Sequence, residues 1–296
     1  MSMGKLGFGF KLGHWTDPTG LTGCTVIIPP RDNVASCEVR GSSPGSREIE
    51  QLRTDLRLTE VHGVLLTGGS AFGLAAADGV MSWLAERDIG YRTPVAIVPI
   101  VPTAVIFDLG RSASATRPGP EQGRAACDAA TEDDVVTGRA GAGAGAMVGK
   151  WAGIEYASPG GIGIGRAEQE GEAVSAIAVV NAIGDVLDAD GSVVAGTTAP
   201  DPTWRGRPPE PALNTVLVCA VTKASLDKRD VHWLSARAAD GVTSTVRPAH
   251  TRYDGDIAFF VGAPDDSGRT ANVDVLGYLA TLAVQRAVRA AVRFDP

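Results

Sequence analysis

The feature that most constrains the fold is an abrupt change of composition at Thr215. The preceding sequence, "PDPTWRGRPPEPALN", is rich in proline and polar residues, and residues 197–214 are predicted to form a linker. The following sequence, "VLVCAV" at residues 216–221, is an uninterrupted apolar run with several β-branched residues. Such a run is typical of a buried strand. A threonine at the first position of a buried strand, straight after a linker, needs a chemical explanation.

Strands and helices are mixed along the chain without a regular strand–helix–strand rhythm. Residues 59–91 are predicted to form a strand, a turn at Gly68-Gly69-Ser70 and a helix. Residues 172–196 are predicted to form a strand that turns at Gly184-Asp185 and returns. This mixture favours an α+β fold built of stacked layers. Further helices are predicted near residues 121–130, 225–242 and 272–292, with a strand at 256–264.

Composition and charge limit the classes of partner and cofactor that we expect for this chain. The chain has 296 residues, a net charge of −7 and no run of lysine and arginine, which argues against binding of nucleic acid. No signal-peptide pattern opens the chain and no stretch reaches membrane-spanning length, so we expect a cytoplasmic protein without a membrane partner. The cysteines form no C-x-x-C pair and the histidines no metal-ligand spacing, so we expect reduced thiols and neither a metal nor another cofactor. These residues are Cys24, Cys37, Cys127, Cys219, His14, His62, His232 and His250.

Three glycine-rich segments match known motifs only in part. "GRAGAGAGAMVGKW" has Ala144 and Trp151 where a phosphate-binding loop needs a glycine and a serine or threonine. No dinucleotide fingerprint occurs in it or in "GGIGIGRA". "GGSAFG" has Phe72 where a nucleophile elbow needs its last glycine. A structural role for these glycines is tight packing of strands against helices.

Thr215 itself suggests a chemistry. A threonine hydroxyl is a weak nucleophile unless a base lies beside it, and the threonine's own α-amine can be that base. The reference pKa of an α-amine is about 7.7–8.0, so much of it is neutral near physiological pH. The bond between Asn214 and Thr215 must then be cut, by side-chain attack on the Asn214 carbonyl, an N→O acyl shift and ester hydrolysis. The alternative is that the Asn-Thr pair only begins a strand.

Seven segments that span most of the chain carry a family likeness. They are "TDPTGLTGCTVI", "LTGGSAFGLAAADGVMSWLAERDIGY", "VPIVPTAVIFDLG", "GRAGAGAGAMVGKW", "AVVNAIGDV", "LNTVLVCAVTKASL" and "RPAHTRYDGDIAFF". In them the chain resembles the N-terminal-nucleophile peptidases typified by the L-aminopeptidase/D-amidase DmpA, a family that includes β-aminopeptidases and the nylon-oligomer hydrolase. The resemblance implies a four-layer αββα sandwich and one peptidase domain, 1–296. It also implies self-cleavage into fragments 1–214 and 215–296, which stay together and form homo-oligomers.

The resemblance assigns catalytic roles to five residues and places the self-cleavage between Asn214 and Thr215. Asn181 ends an apolar strand, where its NH2 can donate to an oxyanion; alternatively it only forms a turn. A buried Lys150 ammonium near Thr215 would favour the neutral amine and loss of the hydroxyl proton; alternatively Lys150 is a solvated surface residue. The five residues are Thr215, Asn181, Lys150, Asp254 and Asp256.

Asp254 and Asp256 flank Gly255. In an extended segment residues two apart face the same side, so both carboxylates are expected to reach one site. Such a pair raises one pKa unless Lys150 or a substrate ammonium lies between the carboxylates. The pair could orient Lys150 and the Thr215 amine and recognise a cationic substrate amine. Alternatively "YDGD" is a polar turn that caps a hairpin.

Three features depart from the family pattern. Phe107 stands where the nylon-oligomer hydrolase has a tyrosine, so the hydroxyl of that tyrosine is missing or supplied from elsewhere. The common Asn-Thr-Thr start becomes Asn214-Thr215-Val216, which leaves one hydroxyl candidate. The linker carries "PPEPA" where many members have glycine before the asparagine, which affects the expected rate of self-cleavage.

Together with Thr215, the resemblance implies an autoprocessed amide hydrolase of the aminopeptidase or amidase type, which acts on small peptides or amino-acid amides through an acyl-enzyme. Three alternatives stay open: a nylon-type 6-aminohexanoate-oligomer hydrolase, an acyltransferase similar to ornithine acetyltransferase, and an unprocessed binding protein without catalysis. Pocket shape decides among α-amino, β-amino and synthetic amides, because one methylene changes preference by only about 1–3 kcal/mol in an apolar pocket.

Overall fold

A computed structural model describes residues 2–19, 21–110, 116–200, 203 and 214–293. Most of the linker 197–214 lies outside the described residues. The strands, in chain order, are β1 Met3–Gly4, β2 Lys11–Thr16, β3 Gly23–Ile28, β4 Val34–Val39, β5 Ser46–Arg47, β6 Val64–Thr67, β7 Tyr91–Arg92, β8 Ile97–Val98, β9 Thr103–Val105, β10 Val135–Val136, β11 Met147–Val148, β12 Ser158–Pro159, β13 Gly161–Gln169, β14 Glu172–Asn181, β15 Asp185–Leu187, β16 Val193–Ala195, β17 Thr215–Lys223, β18 Val246–Arg247 and β19 Ile257–Ala263.

The α-helices are α1 Ala76–Ala85, α2 Pro120–Asp128, α3 Lys228–Thr243 and α4 Val273–Ala290. The helices predicted near 121–130, 225–242 and 272–292 are therefore confirmed. Among the described helices, none combines the length and the apolar character needed to cross a membrane. Short 3-10 segments cover Ile49–Leu52, Ser70–Ala75, Gly141–Gly143, Lys150–Ala152 and Ile154–Tyr156.

Two five-stranded sheets share one pairing scheme. The first has the order β13-β14-β17-β19-β4 and the second β2-β3-β6-β9-β5. In each sheet the first two pairings are antiparallel, the third is parallel and the last is antiparallel. A helix joins the two parallel strands, α3 in the first sheet and α1 in the second. Each sheet therefore contains one β-α-β crossover.

Residues of β17 alternate between two apolar layers. Leu217 and Val221 contribute to a core between the two sheets, whereas Val218 and Ala220 contribute to a core with α3 and α4. A third core lies between the second sheet and the helices α1 and α2. Because successive strand residues point to opposite faces, an uninterrupted apolar run fits a strand covered on both sides. The predicted α+β fold, a four-layer αββα sandwich, is confirmed.

The prediction that residues 172–196 form a strand and its returning partner is wrong. β14 pairs with β13 along one edge and with β17 along the other, so both its edges are occupied. β15 pairs instead with β16 and β18 in a separate three-stranded sheet. A local turn signal locates a bend, but the partner of a strand depends on contacts distant in sequence. This arrangement places the end of β14 beside the start of β17.

Candidate active site

Thr215 begins β17, and its antiparallel partner is Asn181, the last residue of β14. Alternation along β17 places the Thr215 side chain on the face of Leu217 and Cys219, toward the space between the sheets. Asn181 shares the face of Val179 in the same way. Thr215 is 5% exposed and Asn181 is 1% exposed. The site therefore lies at one end of the gap between the two sheets.

Lys150 reaches Asn181 from a tight turn. Gly149 precedes it with φ of 71°, and a Cβ on Gly149 would lie 2.1 Å from Thr197 N, so this position requires glycine. The Lys150 Nζ donates to Asn181 O at 2.8 Å and to Asn181 Oδ1 at 3.0 Å. Lys150 is 9% exposed. The alternative that Lys150 is a solvated surface residue is therefore wrong.

The Asn181 side chain is held in one orientation. Its Oδ1 accepts from Lys150 Nζ and from Met147 N, the latter at 3.0 Å, while its Nδ2 donates to Phe107 O at 3.1 Å. Two donors on one atom and an acceptor on the other identify the amide oxygen. The contact with Phe107 uses one of the two Nδ2 hydrogens, and the role of Asn181 as an oxyanion donor stays a prediction. Because Phe107 contributes its main-chain carbonyl, this contact does not need the missing tyrosine hydroxyl.

The carbonyl of Asn214 is the centre of several short contacts. The Thr215 Oγ1 lies 2.5 Å from Asn214 O, and Gly255 N donates to the same oxygen at 2.9 Å. The N–H of Asn214 donates to Tyr253 O at 3.3 Å, and Asn214 forms an isolated parallel bridge with Asp254. A hydroxyl, a carbonyl and a polarising N–H thus meet at the Asn214–Thr215 peptide bond.

The two aspartates bind different partners. Asp254 Oδ2 accepts from Thr251 N at 2.8 Å and from Thr251 Oγ1 at 2.6 Å. Asp256 Oδ1 accepts from Val216 N at 2.6 Å, and its Oδ2 lies 2.7 Å from His250 Nδ1. Asp254 is 2% exposed and Asp256 is 3% exposed. "YDGD" does not cap a hairpin as the alternative supposed, because it leads into β19, which pairs in parallel with β17.

Asp256 influences the pKa of Asp254 and the pKa of His250. Burial, followed by the charge of Asp256, raises the pKa of Asp254 from 3.8 to about 6, although Thr251 and Lys150 favour its ionised form. Burial lowers the pKa of His250, but the hydrogen bond and charge of Asp256 outweigh burial and leave the pKa raised. Reasoning from sequence does not single out His250. The available signal is its place six residues before Asp256 in "HTRYDGD".

Close packing explains the glycine-rich segment before Lys150. A Cβ on Gly143 would lie 2.3 Å from Ile162 N, and a Cβ on Gly145 would lie 2.1 Å from Leu21 O. Within the described ranges, no group of three or more His, Cys, Asp and Glu side chains is arranged to hold a metal ion.

Comparison with known proteins identifies the family. A family model for peptidase family S58 matches residues 8–294. The chain belongs to peptidase family S58. An uncharacterized aminopeptidase of Mycobacterium leprae is 37% identical over 299 residues, which cover 90% of this chain and 80% of the relative. An uncharacterized aminopeptidase of Mycobacterium tuberculosis is 35% identical over 322 residues, which cover 96% and 91%. This S58 peptidase is therefore a hydrolase.

More distant relatives of this S58 peptidase extend the comparison. A 6-aminohexanoate-oligomer endohydrolase of Agromyces sp. is 28% identical over 270 residues, which cover 86% of this chain and 72% of the relative. The structure of a Burkholderia sp. β-aminopeptidase is similar with a TM-score of 0.71 at 20% identity, and covers 96% of this chain and 84% of that one. The L-aminopeptidase D-Ala-esterase/amidase of Ochrobactrum anthropi, a variant of the Ntn-hydrolase fold, has a TM-score of 0.70 at 19% identity, with 96% and 83% covered. These structures show that the fold is of the Ntn-hydrolase type.

Proposed function

We propose that this S58 peptidase cuts its own chain between Asn214 and Thr215, and that Thr215 then serves as the nucleophile of an aminopeptidase or amidase. The observation that carries the proposal is the 2.5 Å contact between Thr215 Oγ1 and Asn214 O, a carbonyl that also accepts the Gly255 N–H. The hydroxyl is thus already beside the carbonyl it would attack.

In the first step Thr215 Oγ1 attacks the carbonyl carbon of Asn214. The C–N bond then breaks, the Thr215 nitrogen leaves as an amine, and an ester joins Asn214 to Oγ1. Water hydrolyses this ester and releases fragments 1–214 and 215–296. The Gly255 N–H stabilises the oxyanion on Asn214 O, as main-chain donors do in other acyl transfers.

A base must accept the hydroxyl proton before the Thr215 amine is free. We assign this role to Asp254, the bridge partner of Asn214, which would accept the hydroxyl proton and deliver it to the Thr215 nitrogen as the C–N bond breaks. The Lys150 ammonium, held by both oxygens of Asn181, supplies positive charge at the same strand end. This charge favours the alkoxide-like character of the attacking oxygen.

In the mature enzyme the free amine of Thr215 takes over as the base. Thr215 Oγ1 attacks the carbonyl of a small peptide or amide, the leaving amine takes the proton, and an acyl-enzyme ester remains. Water hydrolyses this ester and regenerates Thr215. The relatives named aminopeptidases, at 35–37% identity, support a substrate with a free amino group.

A second candidate is hydrolysis of 6-aminohexanoate oligomers. It is supported by the endohydrolase of Agromyces sp., although its 28% identity is lower than that of the aminopeptidases. Both candidates use the same acyl-enzyme chemistry and differ only in the acyl group. They can be compared in one assay, with amino-acid p-nitroanilides and a 6-aminohexanoate oligomer as substrates.

The decisive experiment is the intact mass of the purified protein under denaturing conditions. For the native chain we expect two masses, those of residues 1–214 and 215–296. For Thr215→Ala we expect one full-length mass. For Thr215→Ser, which keeps a hydroxyl, we again expect two masses. A cut Thr215→Ala chain would refute the scheme. An uncut native chain without amidase activity would favour the alternative that the protein only binds a ligand. The acyltransferase alternative is tested by incubation with acetylornithine and glutamate. It would be favoured if acetylglutamate formed faster than any amide was hydrolysed.

A further inference from the structure

His250 lies beside the candidate site, between Asp256 and helix α3. Its side chain is 13% exposed. Its backbone has a φ of 53°, in the left-handed region that residues other than glycine rarely adopt. In this conformation its main-chain N–H and its ring both face Asp256 Oδ2, at 3.2 Å from His250 N and 2.7 Å from His250 Nδ1. Such a backbone conformation persists only where surrounding contacts hold it, and it is common at functional sites.

The ring of His250 is surrounded by hydrogen-bond acceptors. Its Nδ1 faces the carboxylate of Asp256, and its Nε2 lies 3.0 Å from Thr243 Oγ1 and 3.4 Å from Ala239 O, both in α3. A ring with a proton on each nitrogen donates on both sides, whereas a neutral ring has one nitrogen that can only accept. These surroundings therefore favour the imidazolium, in agreement with the raised pKa of His250.

The other charged side chains near His250 neutralise one another. Glu38 and Arg40 lie with His250 around one small cavity, and the charge of Arg40 opposes the imidazolium. The Arg40 Nε, however, is 2.6 Å from Glu38 Oε1, and its Nη1 is 3.5 Å from Asp240 Oδ1 on α3. Among the residues that the structure describes, Asp256 is therefore the carboxylate in direct contact with the ring.

The contact with His250 gives the two carboxylates of the site different surroundings. Asp256 receives donors on both oxygens, since Oδ1 accepts from Val216 N at 2.6 Å and Oδ2 faces His250. In the described part of the chain, Asp254 receives its donors on Oδ2 alone, from N and Oγ1 of Thr251. Because the charge of Asp256 opposes ionisation of Asp254, the two carboxylates compete for one proton. An imidazolium against Asp256 keeps that carboxylate ionised, so the proton is exchanged at Asp254.

We propose that His250 is a positioning residue for self-cleavage. Its imidazolium commits Asp256 to holding Val216 N beside the scissile bond. Asp254 is thereby left as the carboxylate that accepts the Thr215 proton. This inference deepens the proposed function and rests on it, since it assigns different tasks to two aspartates at the site of that reaction. His250 keeps its proton throughout the reaction.

The test is the pH dependence of self-cleavage in the full chain, freshly translated in vitro and followed by mass spectrometry as fragment 215–296 appears. His250→Asn tolerates a left-handed backbone and keeps a donor near the Nδ1 position, but it carries no charge. We expect its rate at pH 8 to lie within about threefold of the native rate. The pH midpoint of the rate should rise by about half a unit or more, because loss of a nearby positive charge raises the pKa of a carboxyl group. His250→Leu, which has no donor, should be about tenfold or more slower at every pH.

The matched control is His62→Asn, at another buried histidine, whose Nδ1 accepts from Ile100 N at 3.0 Å. This variant should keep the native rate and the native pH midpoint. An unchanged midpoint in His250→Asn, with slowing by one factor at every pH, would mean that His250 acts only through the fold. That result would overturn the proposal, as would native rates in both His250 variants.

A second measurement does not depend on self-cleavage. In an NMR titration of the Thr215→Ala chain, we expect the His250 ring to titrate above its usual pKa of 6.5. In Thr215→Ala/Asp256→Asn the midpoint should fall, because burial then acts without the opposing charge. A midpoint that does not move on Asp256→Asn would overturn the proposal, even if the native chain cuts itself. A native chain that stays uncut, together with an Asp256-dependent titration, would count against the proposed function and leave the ion pair established.

Discussion

Asn181 lies directly opposite Thr215 in the antiparallel pairing of β14 with β17, and both its main-chain and side-chain oxygens accept hydrogen bonds from Lys150 Nζ. One residue thus connects the candidate nucleophile to the buried ammonium. The connection depends on the register of the strand pair, because a shift by one residue would turn the Asn181 side chain to the opposite face of the sheet.

Replacement of Lys150 by methionine tests this connection. Methionine has a similar length but neither charge nor donors, so we expect self-cleavage to slow by about 100-fold or more. The measurement is the time course of appearance of fragment 215–296 by mass spectrometry. The matched control is Lys228→Met, since Lys228 is also buried and its Nζ donates to three main-chain carbonyls within residues 51–58. Equal slowing in both variants would indicate that Lys150 acts only through stability.

The raised pKa of Asp254 predicts a pH dependence of stability. Below the pKa of 3.8 that it has in the unfolded chain, the carboxyl group is neutral in both the folded and the unfolded state, and its burial carries no charge penalty. Above the pKa of about 6 that it has in the folded chain, the buried group is charged, and its burial destabilises the fold. The folded chain binds the proton more tightly, so the free energy of unfolding falls as the pH rises between these two pKa values. Urea unfolding of Thr215→Ala from pH 4 to pH 8 measures this. In Thr215→Ala/Asp254→Asn this part of the decline should vanish, and an unchanged decline would contradict the assignment.

The ion pair of His250 with Asp256 predicts a second pH dependence. Asp256 raises the pKa of His250 despite its burial, so the pair stabilises the fold below the unfolded pKa of 6.5 and loses this contribution as pH rises through the folded pKa. His250→Leu should therefore destabilise the Thr215→Ala chain by about 1–3 kcal/mol at pH 5.5 and by less at pH 9. His250→Gln keeps a donor but takes no proton, so its difference from the parent chain should shrink in the same way. If the difference in the free energy of unfolding between these variants and the parent chain did not change with pH, the imidazole would contribute through packing alone and not through its charge.

Short stretches of sequence were sufficient to predict the secondary-structure elements around Thr215. The apolar run after the linker predicts a strand from Thr215, and β17 begins there. The helix predicted from residue 225 begins three residues later, because the Asp227 side chain accepts from Arg229 N and Asp230 N and so caps it. Elements of this kind depend on residues that are neighbours in the sequence, so a local segment is enough to predict them.

Contacts between distant segments could not be predicted in the same way. The hydrogen bonds from Gly255 N to Asn214 O and from Val216 N to Asp256 Oδ1 depend on how β17 and β19 are aligned, which no single segment determines. The same holds for β14, whose partners are β13 and β17 instead of the residues after its turn. The resemblance to a family located Lys150 at the site, but only the fold gives it Asn181 as its acceptor.

Gly255→Ala tests whether the Asn214 carbonyl must be held as observed. A Cβ on Gly255 would lie 2.7 Å from Ser43 O and 3.0 Å from Thr215 Oγ1, so the segment would have to move away from the scissile bond. Since Gly255 N is the donor to Asn214 O, we expect self-cleavage to slow by about 100-fold, as on loss of an oxyanion donor. The control is Gly63→Ala, where the nearest atom to a Cβ would be 3.5 Å away, an ordinary contact. Intact mass at timed intervals distinguishes the two variants. Cleavage of Gly255→Ala at the rate of Gly63→Ala would mean that self-cleavage does not depend on the observed position of this segment.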